Sequence, residues 1–284
     1  MHTARRLWSL YEPIHAVTYF SPQARAAAEA VGYRRFWTGY VAMRIAPLGA
    51  VGPEVATAAF YGFSPSRMRK ILPDAWRAAP PERALEARLT GADRTLQAAW
   101  APLGSAARVA EAAELAEEAA QAADTPGRLL AAANAAQPFP DPAHLRLWQA
   151  ATTLREHRGD GHNAALLAAG IGPVHAHVFK EAGGESEAGV LRASRGWTEE
   201  QWSAATSDLR KRGWLSDDGD LTDAGVAARG DVELRTDEAA AAPWSALGPG
   251  RTRRLAELLA PLAAAVLAAG AYRVPNPIGA PPPR

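Results

Sequence analysis

The sequence predicts a mainly α-helical protein of two similar lobes, and three observations carry that expectation. Apolar residues recur at helical spacing in short stretches. Proline opens and glycine closes most of those stretches, the expected punctuation of helix ends. The chain also resembles itself: GYVAMRIAPLGAVGPEVATAAF, residues 39–60, aligns with GHNAALLAAGIGPVHAHVF, residues 161–179. With 284 residues there is enough chain for two lobes, each with its own core.

In chain order, residues 13–31 read as a short helix opened by Pro13, a break at Phe20-Ser21-Pro22, and a second helix ending near Gly32. WTGYVAMRIAPLG, residues 37–49, is a helix with Thr38 placed to cap it and Pro47 and Gly49 to stop it. Pro53 starts a helix through Phe60, and residues 81–99 and 108–123 are two more helical stretches. Pro126, Gly127, Pro138, Pro140 and Pro142 mark residues 126–143 as a linker. Beyond it, HLRLWQAATTLREH is amphipathic, and Leu255–Tyr272 reads as a buried helix interrupted by Glu257 and Pro261. The expected division is residues 1–125, a linker at 126–143, residues 144–275, and a proline-rich tail at 276–284 that cannot form a core.

Residues 196–225, GWTEEQWSAATSDLRKRGWLSDDGDLTDAG, hold the most specific local pattern. Thr198 and Gln201 form a capping-box-like helix start. Trp202, Ala205 and Leu209 follow at helical spacing, Gly213 ends the helix, and Asp218-Gly219 between Trp214-Leu215 and Leu221 signals a hairpin turn. This order resembles the multiple-antibiotic-resistance class of winged-helix regulators, over roughly Leu166–Asp231. Across nearly its whole length the chain also resembles an actinobacterial family described as helix-turn-helix or winged-helix proteins. EPIHAVTYFSP, GYVAMRIAPLG, FYGFSP, LPDAW, LREHRGDGHNAAL and VELRTDEAAAAPW carry that resemblance. It implies two tandem winged-helix-like lobes with small β-hairpin wings and flanking helices, and no settled activity.

Charge argues against simple electrostatic DNA binding. There are 31 basic and 30 acidic side chains, a formal net charge of +1, whereas DNA affinity rests largely on neutralising phosphates. The wing tip carries Asp217, Asp218 and Asp220, and the helix before it opens with Glu199 and Glu200. DNA is a partner the fold allows and the acidic wing disfavours. Cysteine is absent, which excludes thiolate chemistry and suits a cytoplasmic location. No signal-peptide core or membrane span is expected.

Two stretches concentrate titratable groups. EPIHAVTY places Glu12, His15 and Tyr19 on one helical face. LREHRGDGH places Glu156, His157, Asp160 and His162 around two glycines, which is either a helix junction capped by Asp160 or the lining of a site. The enzymatic reading takes His157 or His162 as general base and Glu156 or Asp160 as its orienter or proton donor, with Glu12, His15, Tyr19, Tyr40 and Arg158 binding a small-molecule substrate between the lobes. The alternative is a transcriptional regulator, binding DNA as a dimer, with the same pocket as effector sensor. The sequence names no cofactor and no metal: glycine-rich phosphate loops, G-x-S-x-G and HExxH are all absent from it.

Overall fold

The computed structural model describes residues 2–104 and 106–272, in which fifteen α-helices and two 3₁₀ turns run in succession. The proline-rich tail at 276–284 lies outside the described residues. Helix α1 (Thr3–Phe20) turns at Ser21 into α2 (Pro22–Ala30), and α3 (Phe36–Ile45) passes through a 3₁₀ turn to α4 (Pro53–Phe60). α5 (Pro65–Ala78), α6 (Pro81–Trp100) and α7 (Ala106–Gln121) complete the first half. α8 (Leu129–Ala135) precedes α9 (Ala143–Ala168), at 26 residues the longest helix described. α10 (Pro173–Ala182), α11 (Val190–Arg195), α12 (Glu199–Lys211) and α13 (Asp223–Ala239) follow, then α14 (Ala242–Leu247) and α15 (Pro249–Ala268).

The main core lies where α9 crosses α1, α6 and α7, with α15 closing over α1 and α7. Leu7, Ile14, Leu96, Leu147, Trp148 and Leu262 are fully buried there. A second, alanine-lined core joins α2, α3, α5 and α6; small side chains let these helices pack closely. The third belongs to the α10–α13 module, where Ile171, Val178, Phe179, Leu209 and Leu215 meet.

The structure corrects several sequence expectations. No strand is present among the described residues, so neither β-hairpin wing forms; one isolated bridge pairs Leu215 with Leu221. The local reason is crowding. Thr222 caps α13 immediately after Leu221, and Arg210 donates to the Ser216 and Asp217 carbonyls, which a ladder would otherwise use. In the first half, Ala79 and Pro80 lead directly from α5 into α6. The stretch 126–143 is not bare linker either: it contains α8, whose Leu130, Ala131 and Asn134 are buried against α9.

Three helix ends also moved. α1 starts ten residues before Pro13, which sits inside it, because the preceding residues already carry apolar spacing that buries Leu7 and Leu10. α3 begins at Phe36, so Thr38 lies within it rather than capping it. Finally, α9 runs unbroken through Gly159, Asp160 and Gly161. The helix junction expected at Gly159-Asp160-Gly161 does not exist. Gly161 is there for close approach: a Cβ would lie 2.7 Å from the Arg128 guanidinium and 3.1 Å from Ala239.

Candidate functional site

The titratable stretch of α9 fans out over three faces, because successive residues of a helix point about 100° apart. Toward α1 and α3, Arg44 grips Glu156 through two 2.8 Å bonds, and Arg155 adds a third at 2.9 Å. Arg155 also approaches Glu12 at 3.6 Å, and the Trp8 indole donates to Glu12 at 2.7 Å. Burial opposes charge on Glu156, but Arg155 and Arg44 outweigh it and hold the carboxyl far below its usual range. His15 Nδ1 bonds Thr152 Oγ1 at 3.1 Å, and burial followed by the field of Arg155 keeps the ring neutral. Tyr19 packs edge-on to His15 and against Tyr40, whose hydroxyl accepts from Arg44.

Toward α13, Arg158 pairs with Asp237 at 2.7 Å and Glu233 at 3.4 Å, and Arg5 reaches the same two carboxylates from α1. His162 Nδ1 meets Thr236 Oγ1 at 2.9 Å, and burial lowers its pKa to about 4. Toward α7 and α8, His157 Nε2 bonds Asp124 at 2.8 Å. Asp160 accepts the Ala131 N–H at 2.9 Å, so it caps α8 and not its own helix. Its burial raises its pKa to about 6 against that hydrogen bond.

Glu12, His15, Tyr19, Tyr40 and Glu156 therefore come together, and Arg158 joins His162 on a separate face. His157 and Asp160 belong to a third, and the two proposed bases do not converge. Arg44, Arg155, Thr152, Glu233 and Asp237 were not among the sequence candidates. The one available signal for Arg44 was an arginine inside the apolar run VAMRIAPL, which demands a buried partner. A cavity of about 100 Å³ opens between α1, α2 and α3 beside Tyr19 and Tyr40, and a groove of about 340 Å³ lies between α6 and the start of α9. Neither is lined by His15, His157 or His162. Among the described residues, no three His, Asp or Glu side chains are placed to hold a metal ion.

The α10–α13 module has its own geometry. α11, the turn Gly196-Trp197-Thr198 and α12 make a helix-turn-helix, with a complete capping box between Thr198 and Gln201. It docks on the FYGFSP loop. The Gly62 carbonyl accepts from both His177 (2.8 Å) and Trp197 (2.9 Å), and Ser64 N–H donates to the Arg195 carbonyl at 3.0 Å. Arg195 lies over the rings of Phe63 and Trp37. Tyr61, with a φ of 54°, sends its hydroxyl to the Ile171 carbonyl. That loop is legible in the sequence only through Gly62 and the Ser64-Pro65 start of α5.

On α12 itself, Arg210 is engaged with the Ser216–Asp217 turn, and Arg212 bonds the Gly170 carbonyl and Asp208. Both are structural cations. Ser203, Ser207 and Lys211 are exposed at i, i+4 and i+8, with Glu200 one turn earlier. A three-helix core presenting the second helix of a helix-turn-helix to solvent defines a class of nucleic-acid-binding scaffold. The chain matches the helix-turn-helix family over residues 4–273 and belongs to it. No curated protein and no solved structure matches it. No described helix is long and apolar enough to cross a membrane.

Proposed function

We propose that the protein is a DNA-binding transcriptional regulator that reads sequence through α12 with little general affinity for duplex DNA. One observation carries this: Ser203, Ser207 and Lys211 form an exposed stripe on the second helix of the helix-turn-helix, and their side chains bond no group among the described residues. Serine hydroxyls bond either kind of base edge in the major groove, and lysine bonds guanine or phosphate. Glu200 completes the stripe. Its own backbone N–H and Thr198 hold the carboxyl ionised, the state that accepts from a cytosine amino group. Asp217, Asp218 and Asp220 at the following turn repel phosphates, so base contacts, rather than charge, decide where the protein binds.

The test is selection of bound sequences from a random duplex library by the purified protein. An enriched motif containing G·C pairs, lost in Lys211→Ala and in the Ser203→Ala/Ser207→Ala double variant, is expected. No enrichment over the input library defeats the reading. A palindromic motif would report binding as a dimer.

A further inference from the structure

The cavity between α1, α2 and α3 borders the buried ion-pair cluster through Tyr19 and Tyr40, and four features of it point to a ligand. First, Tyr19 lines it while only 5 % exposed. Its hydroxyl meets no protein donor or acceptor among the described residues, although burial raises its pKa so that it stays a protonated donor. A side chain this buried, with no protein partner for its hydroxyl, is free to donate to an incoming acceptor. Second, the neighbouring Tyr40 hydroxyl accepts from Arg44, which leaves its own proton to offer. Third, Arg34 and Arg35 stand at the cavity mouth with no carboxylate of the described residues on either, while Arg25 beside them is neutralised by Glu29 at 2.9 Å. Arg35 is also the N-cap of α3, and no side chain caps that helix, so its positive end adds to the same field. Fourth, the walls between rim and floor are apolar: Ala24, Ala28, Phe36 and Met43.

We propose that this cavity binds a small aromatic carboxylate bearing a second oxygen opposite the carboxylate. The carboxylate sits at the rim between Arg34 and Arg35, which offer forked donors suited to it. The ring lies against Ala28 and Met43, and the distal oxygen accepts from Tyr19 and Tyr40. The size sets an upper limit of one ring. An enclosed apolar cavity of about 150 Å³ admits benzene, and this one, about 100 Å³ but open at its mouth, has room for a single ring only if its charged group stays outside. The inference does not depend on DNA binding by α12.

Calorimetric titration of the full chain with 4-hydroxybenzoate at low salt tests it. Saturable binding is expected, weakened by roughly threefold or more in Tyr19→Phe, the range of a hydrogen bond between neutral groups, and by roughly tenfold or more in Arg34→Gln/Arg35→Gln, the range of hydrogen bonds to charged groups. Tyr19→Phe keeps the ring and removes no internal bond, so its melting temperature should match the wild type and show that a lost signal is not lost folding. 4-Hydroxybenzamide, with the charge removed, should bind at least tenfold more weakly. Absence of binding at millimolar 4-hydroxybenzoate overturns the proposal. So does undiminished binding by both variants, which would place the ligand elsewhere, and so does equal affinity for the amide.

Discussion

At the scale of single residues, burial decides which charges matter. Glu156 is 1 % exposed and serves two arginines. Glu156→Gln strands them in the core and should lower unfolding stability by about 3–5 kcal/mol in denaturant melts. Arg25→Gln, which breaks the exposed Arg25–Glu29 pair, should cost less than about 1 kcal/mol. Two further residues titrate in opposite senses. His177 donates through Nε2 to Gly62, while its buried Nδ1 has no partner. Burial and the nearby Arg195 lower its pKa from 6.5 to about 3. Protons therefore bind the unfolded chain first, and His177 stabilises the fold fully above pH 6.5 and progressively less below it. Asp160, raised from 3.8 to about 6, does the reverse: its contribution is present below pH 3.8 and lost as pH rises through 6. Asp160→Asn removes that counterweight while keeping a carbonyl to cap α8. Its melting temperature should fall more steeply than the wild type's between pH 6 and 4, and parallel curves would refute this assignment.

At the scale of elements, α9 offers a matched pair of substitutions. A Cβ on Gly159 meets nothing closer than 3.7 Å, whereas one on Gly161 meets Arg128 and Ala239. Gly159→Ala should stabilise by about 0.5–1 kcal/mol, the ordinary helical preference for alanine. Gly161→Ala should destabilise, because α13 and Arg128 must move. Equal melting shifts would mean that α13 does not pack there. This pair also shows where sequence reading stopped. Two glycines within three residues look like a break, since each weakens a helix by about 1 kcal/mol, but packing against α7, α8 and α13 is worth more and comes from residues far along the chain. The elements whose signals are local were legible: the Thr198–Gln201 capping box, and the Gly52-Pro53 and Gly172-Pro173 starts of α4 and α10. The hairpin was over-read, because a turn signal says nothing about whether flanking residues are free to pair. In the candidate site, shared helical faces found Glu12, His15 and Tyr19. Spacing along α9 could not reveal that His157 and His162 look away from each other, since two glycines between them read as a helix junction and not as one continuous helix.

At the scale of the whole molecule, near-zero net charge and an acidic turn beside α12 bear on the proposed reading of DNA. Affinity for random duplex at physiological salt should be negligible. Asp217→Asn/Asp218→Asn/Asp220→Asn should raise it several-fold at low ionic strength, with the gain disappearing as salt is added. An unchanged salt profile in fluorescence anisotropy would show that this turn does not approach the backbone. The long helix α9 has a different consequence. Its start packs on α6 and α7, its middle on α1 and α8, and its end supplies Ala165 and Leu166 to the core beneath α12. At about 1.5 Å per residue, its 26 residues span about 39 Å. Neither half of the gene product, severed ahead of Ala143, would carry a finished interior, because the first piece lacks the beam and the second lacks the floor on which it rests. Co-expressed, the two pieces should find each other and restore a single melting transition, which makes the Pro138–Pro142 stretch a natural place to split this protein into a complementation pair.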